Sequence, residues 1–313
     1  MSSVVLFHYG RFDPLMQHPG LVQAGPCIEA NVGIPVLQPS ISLLRQQLVS
    51  HGWHDQGVLI HFTDPFQLTI SPLRGIRQWN GPRLIACGDL HHGPAPIVTL
   101  AAYLQQEPHD AVLLMFNPAL LIEVRQRLSV PVHSCPPSFF RYPTAKRLSR
   151  PKLTLLHIGN VHRHPRRRKV VEMLMQSKRI SFSHGTTKSV QQAAKLFSGY
   201  AVVLNIPLNN DLSHRFFEIM AAGAPQIVLA NPALVGPHRE LASRPDVFWA
   251  KDVDQIETIA EKLFADPVVL GAIPVDLPPY QPLPKLLKQV FGYQSVPVSS
   301  EVMLNMTSIQ HRL

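Results

Sequence analysis

Four short runs in the first half of the chain, Val4–Phe7, Val58–Phe62, Arg83–Cys87 and Ala111–Phe116, carry β-branched and aliphatic residues almost without polar alternation. A strand with one wet face alternates; a continuous run predicts a strand covered on both faces, as in a parallel sheet. Between these runs the period changes to a helical one. Ile41, Leu44, Leu48 and Val49 repeat after Ser40, and Leu100, Tyr103 and Leu104 repeat after Pro96. Strand and helix alternate, so the fold class is α/β. Five prolines with Ser and basic residues between Pro131 and Pro151 predict a linker. It divides the chain into an N-terminal α/β domain, residues 1–145, and a C-terminal one, residues 146–313, with a Pro-rich tail.

The second half repeats the rhythm. Leu153–Ile158 reads as a strand, followed by a helix that Pro165 can start at its first position. Tyr200–Ile206 is the clearest strand, and a helix from Ser213 to Ala222 is stopped by Gly223 and Pro225. Strands at Gln226–Ala230 and Val247–Ala250, helices at 252–265 and 285–291, and a loose polar tail complete the expectation. Two such domains leave a cleft between them, a common place for a ligand.

At 313 residues and 45% hydrophobic, the chain is too long for one small domain and too apolar for disorder. No apolar run approaches the ~18 residues of a membrane span, and no basic-then-apolar leader opens the chain, which predicts a cytoplasmic protein without a transmembrane segment. Cys27, Cys87 and Cys135 are scattered, which argues against a disulfide framework or a zinc ribbon.

Charge is sharply divided. Residues 1–145 hold eight Arg, no Lys and eight acids, whereas residues 146–313 hold 21 basic and 12 acidic residues and so carry the whole net charge of +9. The excess concentrates at 146–179, where Glu172 is the lone acid. Such a cluster implies an anionic partner, with a solvated basic face as the plain alternative. If Pro165 opens a helix, Arg166, Arg167, Arg168 and Lys169 fill its first turn, where the helix dipole disfavours each cation by roughly 0.3–1 kcal/mol. A bound anion at that end reverses the argument, and phosphate is the obvious one. Nucleic acid calls for aromatic residues among the cations, and none lies between Arg150 and Ser181. A diphosphate fits better, and no nucleic-acid partner is expected.

Other motifs are weaker. GxGxxG, HExxH and GxSxG are absent. Gly185-Thr-Thr-Lys188-Ser189 lacks the glycines of a P-loop, and Asp252-Val-Asp254 reads as a helix cap rather than a metal-binding pair. The loop Asp89-Leu-His91-His92-Gly93 follows a strand, where its histidines can bind metal, relay a proton or hydrogen-bond a substrate. Adjacent side chains converge poorly on one ion, and plain loop polarity is the alternative.

The richest segment is Leu204–Pro225: a strand, the polar loop Asn209-Asn210-Asp211-Leu212-Ser213, and a helix carrying His214, Arg215 and Glu218 among apolar neighbours. Glu218 stands one turn beyond His214, where a carboxylate can accept from paired ribose hydroxyls while the helix N-terminus near Ser213 receives phosphate. An ordinary helix-surface glutamate is the alternative.

These residues carry a family resemblance. The Asn-rich loop with Arg215-Phe-Phe-Glu218-Ile-Met-Ala-Ala-Gly223 resembles the donor-site signature of group 1 glycosyltransferases, in particular the CgeB-like, spore-maturation-protein branch. His157-Ile-Gly159-Asn160 with His164-Pro165-Arg166-Arg167-Arg168 is similar to the start of that family's second domain; the Asp89-x-His91-His92 loop and Cys135-Pro-Pro resemble it less closely. The resemblance implies a GT-B fold and a retaining hexosyltransferase using a nucleoside diphosphate sugar, with no cofactor and no metal. Glu218 would then hold the ribose. Ser213, His214 and Arg215 would face phosphates or sugar, and Arg166, Arg167, Arg168 and Lys169, with Gly159 and Asn160, would line the diphosphate site. Asn210, Asp211, His91 and His92 would be the catalytic candidates, Asn210 standing where group 1 enzymes often carry a second glutamate. The acceptor, whether glycan, lipid-linked or protein, is left open, and a non-catalytic nucleotide- or sugar-binding protein, or a nucleic-acid binder using residues 146–179, are the rival readings.

Overall fold

In the computed structural model, which describes residues 3–135, 140–209, 211–266 and 283–292, the apolar runs become the central strands of two all-parallel sheets. The first sheet has the order β3-β2-β1-β4-β5-β6-β7, with β1 Ser3–Phe7, β2 Leu21–Gly25, β3 Ile34–Pro35, β4 Gly57–Thr63, β5 Arg83–Cys87, β6 Ala111–Leu114 and β7 Val132–Ser134. Both of its faces are covered, which is why β1 needs no polar alternation. Val4 and Leu6 pack with Ile60, Leu84 and Leu113 on one face, while Val5, Phe7 and Leu59 pack against α1 (Ile41–Ser50) on the other. The helices α2 (Pro65–Ile70), α3 (Pro96–Gln106) and α4 (Leu121–Arg127) complete this layer.

The second sheet has the order β12-β11-β10-β8-β9, from β8 Lys152–Ile158, β9 Phe182–Gly185, β10 Tyr200–Asn205, β11 Gln226–Leu229 and β12 Val247–Ala250. Around it lie α5 (Pro165–Met175), α6 (Val190–Gly199), α7 (His214–Ala221), α8 (Arg239–Ala242) and α9 (Val253–Ala265). Asp252 is a cap, as expected, its Oδ1 accepting from the Gln255 amide at 2.9 Å. Ser189, in the rejected P-loop segment, likewise caps α6 by accepting from Gln192. The final helix, α10 (Leu283–Phe291), differs from expectation. Numbered with the second domain by sequence, it buries Leu283, Leu286 and Leu287 in the first domain's core, against the face formed by Val4, Leu6 and Ile60. An amphipathic helix goes to whichever apolar face is uncovered, and sequence order does not say which. The anticipated loose tail and the remainder of the Pro-rich region lie outside the described residues.

In open parallel sheets, ligands gather at the carboxyl ends of the strands, where the strand order reverses. That point lies between β1 and β4 in the first sheet and between β8 and β10 in the second. The loops after β4, β5, β8 and β10 therefore meet across the domain junction. Several contacts fix it: the Leu212 amide donates to the Phe116 carbonyl at 2.8 Å, and Ser134 Oγ lies 2.9 Å from His238 Nε2. Gly236 has φ +56°, and a Cβ there would lie 2.4 Å from the Pro118 carbonyl oxygen of the other domain. Gly236→Ala is therefore expected to lower unfolding stability by about 1–3 kcal/mol through strain and a displaced junction. Urea unfolding tests this; an unchanged midpoint would show that the junction yields freely.

Candidate functional site

A cavity of about 370 Å³ opens at this junction, lined by Asp89 and His92 of the first domain and by His164, Pro165, Arg166, Arg167, Leu208, Asn209, Asp211 and Ser213 of the second. A smaller one of about 230 Å³ shares Asp89, Asp211 and Ser213 with it and reaches inward to Phe62, Asp64, Gly88, Phe116 and His214.

The second domain supplies the cationic groups. Pro165 sits in the first turn of α5, so the helix opens toward the cavity with its early amides unused within the helix. Arg167 folds back from that turn, donating to the Ile206 carbonyl at 2.9 Å and the Asn160 carbonyl at 3.2 Å. Its Nε is buried with no hydrogen-bond partner. Burial and the Arg215 charge lower its pKa, with Asp211 opposing. Gly159 keeps this corner open: a Cβ there would sit 3.1 Å from His157 Nε2 and 3.5 Å from Arg167 Nη1. His157 Nδ1 donates to the Leu204 carbonyl at 3.0 Å, its buried Nε2 has no partner, and burial holds its pKa down to about 3.

The helix α7 is anchored by buried amides: Gln226 Nε2 donates to the Phe216 carbonyl at 3.0 Å, and Asn205 Nδ2 donates to Gln226 Oε1 at 3.4 Å. Its N-cap, Ser213, makes no side-chain cap bond, and it lines both cavities.

Acidic groups line the same cavities. Asp211 is mostly buried, with Oδ1 unpaired, and its pKa is raised by burial first and by the Asp89 carboxylate second. Asp89 and Asp64 stand across from it on the loops after β5 and β4, and Phe62 and Phe116 floor the inner cavity.

The structure treats the sequence-predicted residues unequally. Arg166, Arg167, Ser213, Asp211 and His92 come together on the larger cavity. Arg168 and Lys169 are exposed on the outer side of α5, Arg168 lying 3.9 Å from Glu172. His91 is exposed and lines neither cavity, although its charge reaches Asp211. Asn160 turns its Oδ1 to the His162 amide. His214 is half-buried among Phe116, Phe140 and Tyr142, lies 2.7 Å from the Tyr142 hydroxyl, and is held by burial at a pKa of about 4. Arg215 lines neither cavity, contrary to expectation. Its guanidinium lies over the Phe197 ring and pairs with Glu218 at 2.9 Å, because a helix residue at this position faces α6. Glu218, the expected ribose holder, likewise lines neither cavity; it is mostly buried, which raises its pKa, with Arg215 opposing. Asn210 lies outside the described residues. Asp64 was missed by sequence reasoning. An Asp-Pro pair closing a strand is the signal that points to it, and that pair reads equally as a helix cap.

Among the described residues no three His, Cys, Asp or Glu side chains are arranged to hold a metal ion, and no helix is long and apolar enough to cross a membrane.

Residues 144–268 match a family model described as glycosyl transferase-like. No curated protein sequence matches the chain. Among solved structures, sucrose-phosphate synthase (tll1590) from Thermosynechococcus elongatus superposes with a TM-score of 0.53 at 11% identity, covering 100% of this chain and 99% of that one. TarM gives 0.49 at 12% identity over 87% of this chain and 58% of its own, and the Glycosylation Associate Protein (Gap123) complex from Streptococcus agalactiae gives 0.47 at 10% identity over 85% and 57%. The chain thus spans less than two thirds of those two. With two parallel-sheet domains facing across a cleft, the molecule has the GT-B fold, and its residues 144–268 match the glycosyl transferase-like model.

Proposed function

We propose that the protein transfers a sugar from a nucleoside diphosphate sugar to a hydroxyl-bearing acceptor, with the donor lying across the larger cavity. The observation that carries this reading is the lining of that cavity, where Arg166, Arg167 and the openings of α5 and α7 stand with Asp89, Asp211 and His92. The first set matches a diphosphate, because helix-end amides and guanidinium groups converge on it. The second matches a sugar, because carboxylates and an imidazole nitrogen accept from hydroxyls. Charge growing on the leaving diphosphate is met by groups already in place, so this reading invokes no metal and no cofactor. Glu218 takes the ribose hydroxyls on the sequence resemblance alone, since it lines neither cavity and is paired with Arg215. The CgeB-like branch, hexosyl transfer with retention and a cytoplasmic location rest on the sequence resemblance and patterning alone.

A thermal-shift series with UDP, GDP, ADP and dTDP tests the proposal. A ligand that binds only the folded protein adds about 2.7 kcal/mol at roughly 100 times its dissociation constant, so at least one nucleotide is expected to raise the melting temperature by several degrees. No response to any of the four would overturn the reading.

A further inference from the structure

Asp64 occupies the N-cap position of α2, directly before Pro65, yet its side chain accepts no hydrogen bond from that helix. The carboxylate instead reaches into the neighbouring loop. Its Oδ1 accepts from the Asp89 amide at 2.7 Å, and its Oδ2 faces His92 Nδ1 at 3.3 Å. Room for this exists because position 88 is glycine: a Cβ there would lie 2.2 Å from Asp64 Oδ1. The other side of the imidazole faces Asp89, whose Oδ2 lies 3.5 Å from His92 Nε2 while its Oδ1 accepts from the His91 amide. The Leu90 amide donates to Asn117 Oδ1, which pins the loop from below.

We propose that Asp64 is the positioning residue for His92: by accepting the Nδ1 proton it fixes the ring's tautomer and orientation, leaving Nε2 as the end that accepts from a substrate hydroxyl. A carboxylate is an acceptor only, and of the two carboxylate contacts only the one at Nδ1 has hydrogen-bond geometry, so a ring carrying one proton keeps it on Nδ1. Asp64 touches no substrate in this arrangement. It acts through His92 and, through the Asp89 amide, through the turn that places both. The inference rests on the reading that His92 meets the sugar of a nucleotide sugar, and it assigns the hydroxyl to that sugar, since His92 and the cationic groups share one cavity.

The tautomer is read without any ligand from the ring nitrogen-15 resonances of His92, assigned by their disappearance in His92→Gln. The wild-type protein is expected to show the Nδ1–H form. Asp64→Asn keeps an oxygen for the Asp89 amide but places an NH₂ donor at Nδ1, so the proton is expected to move to Nε2. Affinity is then compared between UDP and UDP-glucose, UDP-N-acetylglucosamine, GDP and GDP-mannose. Asp64→Asn should bind the free diphosphates as the wild type does and lose about tenfold in affinity for the sugar nucleotide that the wild type prefers, the size of one such hydrogen bond. Gly88→Ala, which displaces the carboxylate, should reproduce both effects, and Asp64→Asn should add nothing in a His92→Gln background. Identical ring signals in wild type and Asp64→Asn would overturn the proposal, as would equal losses for diphosphate and sugar nucleotide. If no nucleotide binds, the assignment of function fails, and the ring signals alone still decide whether Asp64 sets the tautomer.

Discussion

Arg167→Ala is expected to cost ten- to a hundredfold or so in nucleoside diphosphate affinity, while Arg168→Ala, one residue along the same basic run, costs nothing measurable. The two guanidinium groups are chemically identical and differ in where the helix points them. Arg167 turns into the cavity and is held by the Ile206 and Asn160 carbonyls, so its charge is in place before a ligand arrives. A charge-assisted hydrogen bond to phosphate contributes about 1.5–3 kcal/mol, which sets the size of the loss. Arg167→Lys should fail nearly as badly, since an ammonium cannot span both carbonyls and the ligand. Arg168 lies outside the cavity near Glu172. Removing it forfeits a weak helix-surface pair and relieves an unfavourable cation at a helix start, two effects of a few tenths of a kcal/mol that oppose each other. Calorimetric titration of the nucleotide into the wild type and the three variants separates them. Equal weakening by Arg167→Ala and Arg168→Ala would mean that the run acts as a diffuse basic surface rather than a built site.

That contrast shows how far the sequence was legible. The run 166–169 predicts a helix start with an anion beside it, and of these the helix start at Pro165 is seen. Which of its cations face inward depends on the packing of Val170, Val171 and Leu174 on the sheet, a tertiary fact. The central strands were legible because both of their faces are apolar. β2 was missed because it carries Gln23, a polar residue buried at the price of bonds to His8 and the Asp13 backbone that no local pattern shows. β9, Phe182–Gly185, lies at the sheet edge with Ser and His half-buried, and so lacks a strand's apolar signature. Around the larger cavity, Asp211, Ser213 and His92 are lining residues that their loops had singled out. The role of Asp64 needs a partner 25 residues away, and the burial of His214 needs Tyr142, 72 residues away. Propensity and period carry information within a turn or two; pairings of that kind do not.

Acid should unfold this protein over a narrow range, with stability falling steeply as pH drops below about 6. His61, His109 and His157 are buried, His214 is half-buried at the inner cavity, and all four are neutral at pH 7. Burial puts His109 and His214 at about 4 and His157 at about 3, and pushes His61 well below its ordinary value, with the charge of His109 adding to it. In the unfolded chain each titrates near 6.5. Above that value both states are neutral and these groups leave stability independent of pH. Below it the unfolded chain takes up protons that the folded protein refuses, so unfolding stability drops by about 1.4 kcal/mol per pH unit for each group until the folded pKa is reached. Four groups acting together approach about 5 kcal/mol per unit, enough to exhaust a typical domain's 5–15 kcal/mol within two or three units. Asp211 and Glu218 oppose this in part: burial raises their folded pKa, so they take up protons in the folded protein first and soften the fall near the carboxylate range. Urea unfolding between pH 7.5 and 4.5 measures the slope. His109→Gln, which removes a ring stacked on His61 with an unpaired buried Nε2, should flatten it by about one proton while lowering stability at pH 7.5. A stability that stays level down to pH 5 would mean that these four rings are hydrated or paired, and that the interior drawn here around β4, β8 and α7 is wrong.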